Sequence, residues 1–520
     1  MKILFVYPDI LKDAGWPGYY YVGIGYLSAV SKQAGHETAL IHITEPPSKQ
    51  QFMDTLARHM AGDEKVLIAL SSTTNMFGFA TEWASWIKQK YSNLILVGGV
   101  HPTLNPEATI STDSIDAVCI GEGEAPLLEF ADALQNEEDI TGIPNIWLKS
   151  NGAIHRNPPR PWIKDLDALP FPDRGIYNYR KLDRERENIG VFMVSRGCPY
   201  NCFYCCNHAI KECVGDSKGY VRFRSVDNVI EEIKQVVHDY PFIKFLHFDD
   251  DILPMNKKWF TEFTSKYVKD VALPFECNVH PSLLDETTVT LLREAGCRTC
   301  RLGLESGNAV IRDKILNRHL SENTIKQASA LCRNAGIRLY TFNMVGLPSE
   351  NMAARLDTIK LNAQIRSDEE QISIFYPYEK TRLFDICLEA GLLQNREVTN
   401  PFKDTSLSFG RVERNQIVFS AYYFPVLVRL YRFYMKCPSL LSRIMIRSSD
   451  FVLCSRVTAT LIYPLFNGLI RFLCRHKMLA LWARKTKNAI IGKSQQHGIQ
   501  SIVKVTDAAA KDRNKRNFSR

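Results

Sequence analysis

Over the first 135 residues, short apolar runs alternate with amphipathic stretches. The runs at 2–7, 38–43, 66–70, 94–97 and 117–120 have strand length and little internal polarity, as strands covered on both faces do. Between and after them, apolar positions recur at helical spacing near 23–35, 50–60, 77–91 and 125–134. This alternation predicts a Rossmann-like parallel sheet with helices on both faces, over residues 1–140. Such sheets bind ligands beyond the carboxyl ends of their strands. Two of those ends are glycine-rich: Gly98-Gly99, and Gly121-Glu122-Gly123.

Residues 141–188 read as a connector. In Ala168-Leu169-Pro170-Phe171-Pro172-Asp173-Arg174 two prolines fall within three positions, which precludes regular structure. The alternation resumes over 189–393. Strand-like runs lie at 191–195, 243–248, 275–279, 299–304, 339–345 and 372–376. Ser225 is placed to cap a helix whose stripe is Val226, Ile230, Ile233 and Val237, and further helical stretches lie near 258–269, 286–295, 321–335 and 353–365. Six βα units in a row predict a partial (βα)6 TIM-like barrel rather than a small open sheet. The fold class is therefore α/β, with residues 394–520 forming a mostly helical, basic C-terminal region. Its apolar runs, 417–428 and 457–470, are flanked by Arg and Lys and interrupted by Pro425 and Pro464.

Charge divides the chain at the same place. The 520 residues hold 65 Lys+Arg and 56 Asp+Glu. Residues 411–520 contain 21 of those bases and only four acids, Glu413, Asp450, Asp507 and Asp512. The body is thus acidic and the tail strongly basic, which a single net charge of +9 conceals. Fourteen cysteines over this length are too sparse for a disulfide scaffold. The N-terminal apolar run is too short for a signal peptide, and no stretch reaches 18 uninterrupted apolar residues. A cytoplasmic chain with reduced thiols is expected, so clustered cysteines point to metal or redox chemistry.

One cluster stands out. Cys198, Cys202 and Cys205 lie at CxxxCxxC spacing just past a predicted strand. Zinc would require a fourth ligand from a second CxxC or a histidine pair, and none is near. Three thiolates on one loop suit three irons of a cubane cluster, leaving the fourth iron open. Cys206 breaks the spacing and reads as a bystander. Cys297 and Cys300, within a strand, read as core thiols, as do Cys119, Cys277 and Cys332.

This segment resembles the signature of the radical SAM superfamily, CxxxCx(aromatic)C, with Tyr204 at the aromatic position. The resemblance implies a [4Fe-4S] cluster on Cys198, Cys202 and Cys205 whose open iron chelates S-adenosyl-L-methionine. Reductive cleavage would then yield a 5′-deoxyadenosyl radical, with electrons from a low-potential donor such as flavodoxin or ferredoxin. Further residues extend the match. Asp249-Asp250-Asp251 follow the run 243–248, and Asp250 is the candidate for the methionine ammonium, the alternative being a helix cap. Glu305, in Gly303-Leu304-Glu305-Ser306-Gly307, resembles the ribose-binding carboxylate of a GxESG motif. Gly346, in Gly346-Leu347-Pro348, resembles a turn that passes close to the adenine. Asn278 and His280 are weaker candidates at another strand end.

The N-terminal segments resemble the cobalamin-binding members of that superfamily. They are Gly23-Ile24-Gly25-Tyr26-Leu27, Val97-Gly98-Gly99-Val100-His101-Pro102-Thr103, Gly121-Glu122-Gly123-Glu124 and Leu169-Pro170-Phe171-Pro172-Asp173. Ser72 precedes Gly98 by 26 residues, a spacing compatible with the family's serine-to-GG interval. Ser72, Gly98, Gly99 and Gly121 are thereby implied as cobalamin-binding positions. Methylthiotransferases place three cysteines in this domain, whereas residues 1–150 hold only Cys119. The DxHxxG cobalt-ligating motif is absent: Gly15 stands where its histidine would be, so no protein ligand to cobalt is assigned. The family's commonest chemistry implies methyl transfer to an unactivated carbon or phosphorus of a small-molecule or lipid-like substrate. Non-methylating cyclisation, rearrangement or oxidation, or a non-catalytic cobalamin sensor, are the alternatives. For the tail, peripheral membrane contact and closure of the barrel remain open, with nucleic acid the weakest reading because the runs are so apolar.

Overall fold

The computed structural model describes residues 1–10, 17–62, 65–215, 219–393 and 404–475. Two compact units are present, Met1–Phe451 and Val452–Arg520.

The larger unit opens with a seven-stranded sheet in the order β2-β1-β3-β4-β5-β6-β7. Its strands are β1 (Lys2–Pro8), β2 (Glu37–Ile43), β3 (Val66–Ser71), β4 (Ile95–Gly98), β5 (Ala117–Cys119), β6 (Ile146–Ser150) and β7 (Ala153–Arg156). The first five pair in parallel, joined by helices as the periodicity requires. Ile3 and Phe5 of β1 face one apolar cluster, while Leu4 and Val6 face the other. Both faces are thus covered, which is why the runs carry no polar alternation. β6 and β7 pair antiparallel at one edge. They fall in the stretch that reads as connector, because Lys149-Ser150 and His155-Arg156 interrupt any apolar run. The rest of the connector is firmly held. Arg174 is buried, forms an ion pair with Glu232 (2.8 Å) and lies over the rings of Tyr20 and Phe192.

A second sheet has the order β15-β14-β13-β12-β11-β8, from β8 (Ile189–Phe192), β11 (Phe245–Phe248), β12 (Phe275–Val279), β13 (Cys297–Glu305), β14 (Arg338–Val345) and β15 (Glu369–Ile374). All neighbours are parallel. Strand succession in chain order, a helix after each strand, and no pairing of β8 with β15 among the described residues make this a partial barrel. Ser225, Asn256, Asp285, Ser321 and Asn351 cap the crossover helices through their side chains, which fixes where each starts. A two-stranded ribbon, β9 (Ser195–Arg196) with β10 (Arg222–Phe223), follows β8.

The helix Arg411–Tyr434 packs on the helix Met352–Ile365 and on β14 and β15, burying Ile417, Phe424, Val428 and Tyr431. The run 417–428 is therefore barrel-covering core, and Pro425 does not interrupt it. The helix continues through the proline, held by packing rather than by the lost hydrogen bond. In the second unit Pro464 follows directly on a π-helical turn, Thr458–Ile462, at the start of the helix Tyr463–Arg475, and wider turns of this kind accommodate a missing N–H within a helix. No single helix among the described residues is long and apolar enough to cross a membrane. Residues 13–16 and the basic stretch 476–520 lie outside the described residues.

Candidate active site

The cysteine loop is set by the strands that flank it. Gly197 has φ +86°, and a Cβ there would lie 2.3 Å from the carbonyl oxygen of Tyr220, so only glycine fits. Beyond it the loop is pinned from outside: the Phe203 N–H donates to the Leu316 carbonyl (3.0 Å) and Asn317 Nδ2 to that of Asn201 (2.9 Å). Burial pushes the Cys198 thiol up to about 12 and raises Cys202 as well. Cys205 goes the other way, to about 7, chiefly because the Cys206 thiol hydrogen-bonds to it. Cys206 thus touches the predicted ligand set rather than standing apart from it. Asn207 Nδ2 lies 3.4 Å from the Cys205 sulfur and 3.4 Å from Asp251.

Around the loop three side chains form a buried cluster. Arg318 Nη1 lies 3.7 Å from the Cys202 sulfur and 3.2 Å from the Tyr204 hydroxyl, and Nη2 donates to the Gly303 carbonyl (2.7 Å). Glu305 has φ +63° and follows a register shift in β13. That left-handed backbone, costly for a residue with a Cβ, sits at the predicted carboxylate. Burial raises the Glu305 carboxyl, opposed by Arg318 and by a hydrogen bond from Tyr204. Tyr204 and Glu305 are thus brought together, and Arg318 joins them with no motif to announce it.

Three of the predicted site residues have contacts within the protein. Asp250 is buried beneath the cysteine loop, accepting from the backbone N–H of Val194 (3.0 Å) and of Ser195 (2.6 Å) and from the Ser195 hydroxyl. Through these contacts it holds the strand that carries the cysteines. Burial pushes it up to about 6. Gly346, at φ +79°, donates its N–H to Glu350 (2.7 Å) and is covered by Ile417 of the helix Arg411–Tyr434. Glu350 is in turn held by Arg355, which also pairs with Glu413 of that helix. Ser72 is buried and its hydroxyl donates to the Thr73 carbonyl (2.9 Å).

Ser71, not Ser72, lines the cavity at the carboxyl ends of β3, β4 and β5. This space of about 340 Å³ is walled by Gly98, Gly99, Gly121 and Gly123 on one side and by Met193, Arg196 and Asp249 on the other. Gly99 has φ +108°, and a Cβ there would meet the Ser72 carbonyl oxygen at 2.7 Å. The serine-to-GG spacing therefore reflects a close backbone packing of residue 72 on residue 99. Asp249 is hydrogen-bonded by His247 (3.0 Å), whose other ring nitrogen lies 2.9 Å from Glu276. Arg196 bridges to Glu122 (2.7 Å) and Glu124 (2.6 Å) and lies over Tyr26, while Arg222 also grips Glu122. His101 is buried against Phe77 with ring centroids 4.0 Å apart, and its Nε2 has no hydrogen-bond partner. Burial lowers it to about 4, so it is neutral. Asn278 donates to the Asp250 carbonyl (2.8 Å) and His280 stacks on Tyr200, which are structural positions.

Among the described residues no three His, Cys, Asp or Glu side chains converge on a single ion position. A cubane, with one iron per cysteine, does not require that they do. The donor set fits such a cluster: three sulfurs on one loop with a buried cation beside them. At Gly98, Gly99 and Gly121 the cavity wall carries no side chain, so a flat cofactor can approach the backbone there.

Comparison with known proteins agrees. Residues 192–361 match the radical SAM superfamily model, and residues 19–131 match the B12 binding domain model. An uncharacterized methyltransferase of Pyrococcus horikoshii is 28% identical over 403 residues, 76% of this chain and 84% of that protein. An anaerobic magnesium-protoporphyrin IX monomethyl ester cyclase of Rubrivivax gelatinosus is 24% identical over 411 residues, 74% and 69% of the two chains. In fold, the chain matches the methyltransferase TsrM of Kitasatospora setae, solved with cobalamin and a [4Fe-4S] cluster bound. The TM-score is 0.61 at 17% identity, over 77% of this chain and 78% of that one. The chain belongs to the radical SAM superfamily and carries a B12-binding domain ahead of its radical SAM core. It is a cobalamin-dependent radical SAM enzyme, and its cofactors are a [4Fe-4S] cluster, S-adenosylmethionine and cobalamin.

Proposed function

We propose that this enzyme transfers a methyl group to an unactivated carbon or phosphorus of a small-molecule or lipid-like substrate. The observation that carries the reading is the placement of the cavity, walled by the glycine loops of one sheet and by the strand ends of the other. Methyl transfer within this class is supported by the names of relatives, the Pyrococcus horikoshii protein above all. When bound, the cluster and S-adenosylmethionine supply a carbon radical, and cobalamin supplies a transferable methyl group.

The roles of the chain's own residues follow from their contacts. Cys198, Cys202 and Cys205 hold the cluster. Arg318, buried against Cys202, stabilises negative charge on that sulfur. Asp250 and Gly197 shape the strand and turn that present the cysteines, and Glu305 and Tyr204 present hydrogen-bonding groups at the adjoining strand end. Ser71, Gly98, Gly99 and Gly121 form the cobalamin cradle, where the lack of side chains allows close approach. The apolar walls, Met193, Phe5 and Leu96 among them, shield that side of a reactive species from water. A low-potential one-electron donor and peripheral membrane contact through the C-terminal region complete the reading. The cyclase relative favours one rival, non-methylating chemistry on a similar site.

Anaerobic reconstitution with cobalamin, followed by product analysis, separates these. Methyl transfer yields S-adenosylhomocysteine together with 5′-deoxyadenosine. 5′-Deoxyadenosine alone supports the rival, and neither product argues against turnover.

A further inference from the structure

The helix Ser439–Cys454 buries none of its residues, although its composition is that of a core helix. Leu440, Ile444 and Phe451 recur on one face at helical spacing, with Leu440 72% and Phe451 80% exposed. Flanking that stripe Asp450 accepts from Tyr431 and Lys360, and on the opposite face Ser449 bonds to Tyr434. The helix is thus anchored to the helix Arg411–Tyr434 with its apolar side outward. The anchoring helix adds an exposed stripe of its own, Val426, Leu430 and Phe433. Exposed apolar area of this extent is rare on a soluble monomer without a partner. The second unit, taken by itself, repeats the pattern with Val457, Leu461, Leu465 and Leu469 at four-residue intervals.

The charges around the first face select its occupant. Arg429, Lys436, Arg443 and Arg447 are exposed, and among the described residues none has an acidic partner within 4 Å. The one acid of the helix, Asp450, is already engaged. A second copy packed about a two-fold axis would set these cations against themselves. The remaining tail cannot neutralise them either, because residues 476–520 hold 11 Lys+Arg and two Asp. An anionic lipid surface matches both features, taking the apolar stripe into the acyl boundary and the arginines at its phosphates. We propose that the outward face of the helix Ser439–Cys454 is a peripheral docking surface for anionic membranes, with Leu440, Ile444 and Phe451 inserting and Arg443 and Arg447 pairing with lipid phosphate.

This deepens the membrane contact included in the functional reading, and its test is independent of catalysis. The full-length protein is co-sedimented with vesicles of phosphatidylcholine alone and of phosphatidylcholine mixed with phosphatidylglycerol. Binding is expected to the mixed vesicles only. The R443Q/R447Q double variant should lose roughly 25-fold in partitioning, about fivefold per charge removed, and F451S should lose a comparable amount. All three positions are exposed, so folding is preserved, and 5′-deoxyadenosine yield without vesicles reports separately on the enzyme reading. Equal binding to both vesicle types, or binding unchanged in both variants, overturns the proposal. So does a concentration-dependent dimer in sedimentation velocity that F451S abolishes, because a second copy then covers the face.

Discussion

Arg318→Gln isolates the electrostatic contribution of a single buried cation. The guanidinium lies 3.7 Å from the Cys202 sulfur and is almost wholly enclosed. An electron added to a cluster bonded to that sulfur would sit about 4–6 Å from the charge. At an effective dielectric constant of about 20, that attraction is on the order of 3–4 kcal/mol. For a one-electron couple this corresponds to a potential lower by roughly 130–170 mV in the variant. Glutamine keeps a donor for the Gly303 carbonyl and removes only the charge, while Arg318→Lys, which keeps the charge, should fall between parent and glutamine variant. The assay is an anaerobic redox titration followed by electron paramagnetic resonance, with iron and sulfide content measured on the same samples. Full cluster content with a potential within about 59 mV of the parent, a tenfold change in equilibrium, would refute the assignment of Arg318 as a stabiliser of the reduced state.

Replacing Cys198, Cys202 or Cys205 by Ala should each reduce bound iron and bleach the cluster absorption, and a full [4Fe-4S] spectrum in any of them would remove that residue from the ligand set. Arg355→Met leaves Glu350 and Glu413 facing each other across a buried gap and should destabilise by about 3–5 kcal/mol in urea titration. Adding Glu350→Gln and Glu413→Gln to it should recover most of that loss. Glu350, raised by burial to about 7, is more easily protonated in the folded chain than unfolded. Its contribution is therefore complete below the unfolded value near 4.5 and is lost as pH rises through about 7. Stability of the parent relative to Glu350→Gln should fall over that window, and parallel stability–pH curves would contradict this. Gly99→Val meets the Ser72 carbonyl with its Cβ and should lower the cobalamin retained after gel filtration, measured by absorbance. Undiminished retention would show that the glycine wall is not the cradle.

The layout of both sheets was legible because a strand buried on two faces and a crossover helix leave different periodicities. The edge strands β6 and β7 were not, being short and half-polar. For Asp250, strand alternation carried through the motif says which face it takes. In β11, Leu246 and Phe248 face the core, so Asp250 shares their side and drops beneath the cysteine loop. Asp249, on the side of His247, reaches the cavity. In β3, Ala69, Leu70 and Ser71 all line the cavity, while Ser72 is buried with its hydroxyl on the Thr73 carbonyl. Alternation thus adds Asp249 to the cavity wall, and the lining adds Ser71. Arg318 had no such signal. It lies in irregular chain 13 residues after Glu305 and acquires its neighbours only when β13 and the cysteine loop meet. In the tail, composition showed apolar helices but not which were covered. The run 417–428 finds β14 and β15 to pack on, while Leu440 and Phe451 find nothing.

Arg196 stands two residues before Cys198, and its guanidinium is clamped by Glu122 and Glu124, which belong to the loop that walls the cavity. The strand leading to the cysteines and the loop behind Gly121 therefore cannot shift independently without parting a pair of enclosed ion pairs. Any coupling between occupancy of the two sites has these ion pairs as its direct link, and thermodynamic reciprocity gives it the same factor in both directions. Titrating cobalamin into protein with and without its iron would read that factor directly. A factor above one would mean that each cofactor helps to seat the other, and a factor of one that the ion pairs only brace the fold.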